Sequence, residues 1–312
     1  MTTCILSTSP MVGRALNELG ERFPDLCIAP YRSVAWRMEL AKAQALIVLV
    51  SEPVHEQDLE LAPNLKVIGT YSVGMNHLPL SYCTARGIHI VNTPEVLTDA
   101  TADLALTLLM ALTRRVAEGE ELIRSGTWKG WAPDQLLGTS LGGQTCGILG
   151  SGPIGKAFAR RVWALGMKPV FWDRNGKSHP VDFGAGIAKR LPLKELLPQC
   201  KVLSLHCPLT DETRGILNPK MLSLLPKDAV IINTARGGIL DESAVLEMLH
   251  SGGLGGIGLD VYEGEPDINP AWLSAPHTVL LPHLGSATRE TREAMARLLC
   301  NGVAEALNAS PC

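Results

Sequence analysis

Charge of one sign is almost absent from the balance of this 312-residue chain: 28 lysines and arginines face 31 aspartates and glutamates, a net charge of −3. That balance gives no electrostatic reason to expect nucleic acid or an anionic membrane as partner. Long hydrophobic runs are missing as well. Stretches such as residues 45–50 fall far short of the ~20 residues a membrane span requires. The most apolar run, residues 104–112, contains Thr107 and is followed by Arg114-Arg115, which suits a buried interface helix better. Residues 1–10 have neither the basic segment nor the long apolar core of a signal peptide. None of the eight cysteines forms a Cys-x-x-Cys pair, and no cysteine–histidine cluster has ligand spacing, which argues against zinc. A disulfide framework belongs to short secreted chains. Free thiols inside apolar strands act as small hydrophobes. No repeat or low-complexity segment interrupts the chain. The expectation is a cytoplasmic protein with no metal, no membrane contact and no nucleic-acid partner.

What is present is a globular composition, 46% hydrophobic and 19% charged, which excludes disorder. At ~150 residues per domain the length predicts two domains. Short apolar runs at residues 4–7, 45–50, 65–70 and 88–91 alternate with helical patterns, the first of them near residues 11–21. A single long helical pattern then covers residues 98–124, with Thr98 as N-cap and Asp99 and Asp103 in its first turns. A second alternating series follows, with strands at 144–149, 169–172, 202–205, 229–233, 256–259 and 278–281 and a last helix at 288–307. Continuous apolar runs are the mark of strands buried on both faces. The fold class is therefore α/β, with two doubly wound parallel-sheet domains. The expected division is residues 1–97 plus 286–312 for one domain and 98–285 for the other, the last helix returning to the first.

Gly150-Ser151-Gly152-Pro153-Ile154-Gly155 fits Gly-x-Gly-x-x-Gly directly after an apolar strand and opens a helical pattern; Asp173 closes the next strand, eighteen residues past Gly155. Strand, glycine turn, helix and acid together make the Rossmann dinucleotide unit. Gly150 permits the tight turn, Gly152 lets the backbone approach a pyrophosphate, and Gly155 lets helix and strand pack closely. The helix N-terminus offers N–H groups to the phosphates, and Pro153 suits its first turn. Asp173 would accept hydrogen bonds from the adenosine ribose hydroxyls and repel a 2′-phosphate. This favours NAD, with NADP possible because Arg174 and Lys177 follow it.

Three polar residues stand just after strands of the second series: Arg236, Glu265 and His283. Ligand crevices of open α/β sheets lie outside the carboxyl ends of the strands, so all three are expected at the dinucleotide edge. The types suit carbonyl reduction. A histidine can donate the proton that accompanies a hydride, a carboxylate keeps it charged and oriented, and an arginine can grip a substrate carboxylate.

At this point the chain resembles the D-isomer-specific 2-hydroxyacid dehydrogenases over nearly its whole length. The resemblance is carried by Tyr71-Ser72-Val73-Gly74-Met75-Asn76-His77, Asn92-Thr93-Pro94, Asp99-Ala100-Thr101-Ala102-Asp103, the Gly147–Gly155 stretch, Leu205-His206-Cys207-Pro208-Leu209-Thr210, Asn233-Thr234-Ala235-Arg236-Gly237, Gly258-Leu259-Asp260-Val261-Tyr262 and Pro282-His283. The wording of residues 93–103 and of Trp128-Lys129-Gly130-Trp131 is similar to the glyoxylate/hydroxypyruvate reductase branch. The resemblance implies a Rossmann NAD-binding domain beside a flavodoxin-like substrate domain. It implies that Arg236 binds the 2-oxo acid, that His283 donates or accepts the proton, and that Glu265 partners it. Ser72, Val73 and Gly74 would hold the substrate carboxylate. Thr101, Cys207, Pro208, Thr213, Thr234, Ala235, Asp260 and Gly285 would line the cofactor with the glycine motif, Asp173, Arg174, Arg236 and His283. It also implies a homodimer joined through the long helix, and closure of two domains around the hydride transfer.

Two departures stand out. Asn76-His77 replaces the usual Asp followed by His or Asn, and Pro153 replaces a commoner Arg or Ala, so one phosphate contact is missing. With the sequence ending at Cys312, no regulatory domain is expected, which disfavours a feedback-controlled phosphoglycerate dehydrogenase. Trp36, Trp128 and Trp131 are candidates to shape the substrate pocket or to reach across a dimer. The alternatives are a dehydrogenase of another small anion (2-ketogluconate, 3-phosphoglycerate or phosphite) and a non-enzymatic NAD-sensing protein like the corepressors of this fold.

Overall fold

The computed structural model describes residues 4–174 and 179–309. The chain divides into two compact units, Met1–Leu97 with Ser286–Cys312, and Thr98–Gly285. In the first, strands β1 (Ile5–Ser7), β2 (Leu26–Ile28), β3 (Ala45–Val48), β4 (Val67–Thr70) and β5 (His89–Val91) alternate with helices α1 (Ala15–Arg22), α2 (Val34–Leu40), α3 (Glu56–Glu60) and α4 (Leu80–Ala85). The sheet order is β2-β1-β3-β4-β5, all parallel, which is the flavodoxin-like order.

The second unit opens with α5 (Thr98–Thr113) and α6 (Val116–Arg124). It continues through β6 (Thr145–Leu149), α7 (Pro153–Ala164), β7 (Lys168–Trp172), β8 (Val181–Asp182), β9 (Ile187–Ala188), α8 (Leu193–Leu196), β10 (Val202–Leu205), α9 (Pro219–Leu222), β11 (Val230–Asn233), α10 (Glu242–His250), β12 (Gly256–Leu259) and β13 (Thr278–Leu280). Its large sheet runs β13-β12-β11-β10-β6-β7, all parallel. The strand order reverses between β6 and β10, so the Rossmann switch point lies at the end of β6. The last helix, α11 (Arg289–Ala309), packs in the first unit against α1, β4 and β5.

Both cores are aliphatic. In the second unit Leu149, Leu203, Ile231 and Ile257 are fully buried on one side of the sheet, and Ile148, Val202 and Ile232 on the other. The long apolar run of α5 is consumed here: Ala105, Leu108 and Leu109 are fully buried, and the helix packs on α7, β11, β12 and β13. At ~25 cal/mol per Å² of apolar surface buried, such faces are what commit a helix to a sheet. Among the described residues, no helix is long and apolar enough to cross a membrane.

Several expectations need correction. The single helix over residues 98–124 is two helices, broken at Arg115, which takes a left-handed φ of 54°. The cause lies in the carbonyl of Thr113, which accepts from Thr139 N at 2.9 Å instead of from a continuing helix. Gly138 makes that approach possible, since a Cβ there would stand 2.3 Å from the same oxygen. The first helix begins at Ala15, four residues later than the periodicity predicts, because Gly13 turns the chain with φ 81°. The strand β2 and the antiparallel β8–β9 pair have no counterpart in the sequence reading. Trp36 is 1% exposed and belongs to the core of the first unit, so it shapes no substrate pocket. The cysteines, scattered in sequence, are not all scattered in space. Cys4, Cys27 and Glu39 bring one ligand-type atom each within 4.8 Å of one another, although Glu39 is already paired with Lys42 at 2.9 Å.

A Cβ at Gly138 must displace backbone, whereas one at Gly20, mid-helix in α1, meets nothing within 4 Å. Gly138→Ala is expected to lower the unfolding free energy by about 1–3 kcal/mol through overpacking. Gly20→Ala should leave it unchanged or raise it by up to about 1 kcal/mol. Urea denaturation followed by circular dichroism measures both.

Candidate active site

The end of β6 forms a cradle. Gly152 caps α7 without any side-chain bond to the helix N-terminus, and Pro153 occupies the first helical turn. A Cβ at Gly155 would stand 2.0 Å from Gly150 O, so only glycine lets helix and turn pack this closely. Beside Gly152, by contrast, no described residue other than its chain neighbours comes within 4 Å of where a Cβ would sit. The result is a bare helix N-terminus with open space before it, which fits a pyrophosphate. Ser151 N donates to Asp173 Oδ1 at 2.7 Å, tying the turn to the acid at the end of β7. At the end of β11 the buried Thr234 hydroxyl has no hydrogen-bond partner among the described residues, as expected of a group awaiting a ligand. These residues fit a dinucleotide. Arg174 reaches Glu212 at 3.3 Å; Lys177 lies outside the described residues.

His283 and Glu265 meet at the other side of the switch point. His283 Nδ1 lies 2.8 Å from Glu265 Oε2, with both side chains about one third exposed. Glu265 Oε1 accepts from Tyr262 N at 2.8 Å. Burial pushes the Glu265 carboxyl up, but its bonds to His283 and Tyr262 and the charges of His283 and Arg236 outweigh that and hold it below its ordinary 4.5. Arg236 is largely enclosed: burial pushes its guanidinium below the usual value, and Glu265 opposes the shift. The three side chains thus share one electrostatic neighbourhood although their positions span residues 236–283.

Two loops hold the trio. After Arg236 the chain must pass against the end of β12, where a Cβ on Gly237 would fall 2.0 Å from Tyr262 C, so the residue after the arginine has to be glycine. The loop carrying Glu265 is braced by buried Glu242, which accepts from Glu263 N at 2.7 Å and Trp272 Nε1 at 2.8 Å. His283 itself adopts φ 57°, a left-handed conformation that costs an L-residue roughly 1–2 kcal/mol. Three bonds impose it: His283 N donates to Asp260 O at 2.9 Å, and the Asp260 carboxylate accepts from Leu284 N at 2.6 Å and Gly285 N at 2.8 Å. Thr101, in the first turns of α5, donates to Gly285 O at 3.1 Å and closes the same loop.

The remaining expected residues sort by geometry. In the first unit, Ser72 is buried and donates to Gly74 O at 2.6 Å, while Asn92 Nδ2 donates to Val73 O at 3.0 Å. His77 braces this loop through Thr70 at 2.9 Å. The N–H groups of Val73 and Gly74 make no hydrogen bond among the described residues. In the second unit, Ala235 N is bound by Asn233 Oδ1 and Pro208 is exposed. Burial pushes the Cys207 thiol up to about 11, so it stays protonated at neutral pH. Thr213 is fully buried, and its hydroxyl accepts from Thr210 N and donates to Pro208 O, which shapes the loop after β10. Asp260 likewise spends both oxygens on the His283 loop. Sequence reasoning missed Glu242 and Arg190, whose Nε lies 2.8 Å from Asp173 Oδ2; only the third dimension pairs them with the residues they serve. Trp128 and Trp131 are exposed.

Comparison with known proteins bears on this geometry. Residues 106–285 match the model of the D-isomer specific 2-hydroxyacid dehydrogenase, NAD binding domain. The chain is 42% identical over 280 residues to a glyoxylate reductase of Thermococcus litoralis, covering 88% of this chain and 83% of that protein. A crystal structure of a glyoxylate reductase from Paecilomyes thermophila superposes with a TM-score of 0.88 at 32% identity, covering 99% of this chain and 96% of the other. An NADPH-dependent glyoxylate/hydroxypyruvate reductase from Sinorhizobium meliloti, in complex with NADP and malonate, superposes with a TM-score of 0.87 at 30% identity, covering 99% and 95%.

The lowered Glu265 pKa has a signed consequence for stability. A carboxyl whose folded value lies below its unfolded one stabilises the fold above the unfolded value, and that contribution disappears as pH falls through the folded value. The stability difference between wild type and Glu265→Gln should therefore close progressively as pH falls from about 5.5 through the ordinary 4.5 and below. Urea titrations across this range measure it; a gap independent of pH contradicts the assignment.

Proposed function

The chain belongs to the D-isomer specific 2-hydroxyacid dehydrogenase family, and from that premise we propose that it reduces a small 2-oxo acid of the glyoxylate and hydroxypyruvate kind to the D-2-hydroxy acid, with NADH or NADPH as electron donor. The observation that carries the reading is the 2.8 Å contact of His283 Nδ1 with Glu265, beside the enclosed Arg236. The unit Thr98–Gly285 is the dinucleotide-binding domain, and the unit built on β1–β5 is the substrate domain. The bound dinucleotide supplies the hydride; the chain supplies everything else.

The bare N-terminus of α7 would hold the pyrophosphate, and Asp173 would take the adenosine ribose. Glu265 accepts the Nδ1 proton of His283 and so fixes the ring's tautomer and orientation. That leaves Nε2 to pass a proton to the carbonyl oxygen as it becomes an alkoxide. Arg236 grips the substrate carboxylate and polarises the neighbouring carbonyl. The presence of the His–Glu–Arg set favours an enzyme over a dinucleotide sensor, which needs no proton donor.

Purified protein with NADH or NADPH and glyoxylate should lose absorbance at 340 nm; no loss across a panel of short 2-oxo acids refutes the reading. His283→Ala should lower kcat/KM by about 10²–10⁴ while the dinucleotide dissociation constant, read by fluorescence titration, changes little. Unimpaired turnover removes His283 from its role.

We also propose a homodimer through the start of the second unit. Val116, Ile123, Trp128, Trp131 and Leu137 are all exposed large apolar side chains within residues 116–137, and so dense an apolar stretch marks an interface. Light scattering should give twice the 33.5 kDa of one chain. Ile123→Asp with Trp131→Glu should return the mass toward one chain.

A further inference from the structure

The sequence places a lone acid, Asp173, at the end of β7, where a 2′-phosphate would be repelled. Folding changes that. The segment around Lys189 runs beside β7: Phe171 N donates to Lys189 O and Leu191 N to Phe171 O, both at 2.9 Å, with Arg190 bridged in parallel to Phe171. This segment takes the place of a third Rossmann strand next to β7, and it brings Arg190 to the acid. Arg190 Nε lies 2.8 Å from Asp173 Oδ2, with the two side chains only 13% and 20% exposed. Arg190 Nη2 also donates to Ser151 Oγ at 3.2 Å, in the glycine turn itself. Asp173 Oδ1 is held by Ser151 N at 2.7 Å. Farther out, Arg174 faces Glu212 at 3.3 Å, and Glu212 accepts from Thr210 Oγ1 at 2.6 Å.

We propose that Arg190 sets the dinucleotide selectivity of this chain: by pairing with Asp173 beside the glycine turn, it neutralises the acid and lets the same strand end take NADPH as well as NADH. The proposal rests on the reading of this unit as dinucleotide-binding. With Arg174 and Glu212 counted, the described residues at the end of β7 include two positive and two negative side chains, where an unpaired acid would leave a net repulsion for the dianionic 2′-phosphate. Asp173 Oδ2, which faces Arg190, is buried, but a carboxylate oxygen has two lone pairs, so Oδ1, which accepts from Ser151 N, keeps a second one for the ribose hydroxyls of NADH. The guanidinium therefore changes the charge at the site without removing the hydrogen-bonding group that reads NADH.

Fluorescence titration of NADH and NADPH onto the catalytically idle protein, without substrate, tests this. Wild type is expected to bind both with dissociation constants within about tenfold. Arg190→Gln should weaken NADPH at least tenfold and NADH less than threefold, and Arg190→Lys should keep most of the NADPH binding. Asp173→Asn, which leaves Arg190 uncompensated, should shift the ratio toward NADPH by tenfold or more. It reads the same charge balance if Arg190→Gln does not fold. Equal weakening of both dinucleotides in Arg190→Gln, or no shift in Asp173→Asn, overturns the proposal and reduces Arg190 to a brace. Wild type that prefers NADH by more than a hundredfold overturns it as well. Failure of wild type to bind either dinucleotide overturns the dehydrogenase reading and this proposal with it, a result distinct from the others.

Discussion

The contact between His283 Nδ1 and Glu265 Oε2 is what the second unit is organised to keep. A partly buried ion pair is a poor source of stability, because desolvating the two groups offsets most of their attraction. Its persistence therefore has to be imposed by the backbone on either side. The structure supplies that imposition to each partner. On the acid's side, Tyr262 N holds the second carboxylate oxygen, and buried Glu242 anchors the neighbouring peptide. On the histidine's side, Asp260 and Thr101 close the loop. Tyr262 joins the two sides, since its hydroxyl donates to Leu281 O at 3.0 Å, two residues before His283, so the loops are positioned together and the pair meets as a consequence.

Arg236 extends the same logic. Its guanidinium is enclosed, which would be costly for an isolated charge, and Glu265 offsets part of that cost. Glu265 in turn is held ionised by His283 and Arg236 together. One carboxylate thus serves both the imidazole and the guanidinium, and the proposed reaction needs both: one to deliver a proton, the other to grip an anion. The requirement for glycine at 237 follows from this crowding, since the arginine's own chain must run against the backbone at Tyr262. Preorganised charges in a partly dry site act on a reacting carbonyl without reorganising.

Much of this was legible before the structure. Strands β10 and β12 match the predicted runs end to end, because a strand buried on both faces reads as a near-continuous apolar run, and the one polar residue, buried Ser204, lies inside β10 and not at its limit. The glycine turn and the acid at 173 are local, and local motifs carry their geometry in their spacing. The trio at 236, 265 and 283 could be anticipated because strand ends in a parallel sheet converge on one edge. What escaped was of two kinds. Edge elements such as β2 are too short and too exposed to leave a pattern. Interactions that depend on a carbonyl finding a distant N–H, as Thr113 finds Thr139, leave no trace in helical periodicity. Arg190 belongs with these: in the sequence it is one basic residue near another, and only its bridge to Phe171 aims it at Asp173.

Asp260 shows how far such indirect requirements reach. It is almost wholly buried, and burial pushes its carboxyl above the ordinary carboxylate range despite two N–H donors. An acid in that position is expensive, and a neutral residue would spare the desolvation. Yet the loop it holds contains His283 at a positive φ, a conformation that relaxes unless the surroundings over-determine it. A buried acceptor with two oxygens can bind two consecutive N–H groups, at Leu284 and Gly285, while its own carbonyl takes the N–H of His283. An amide offers only one acceptor oxygen and would leave one of those donors unsatisfied. The acid is therefore dictated by the turn it must enforce, and the turn by the direction in which the imidazole has to face Glu265.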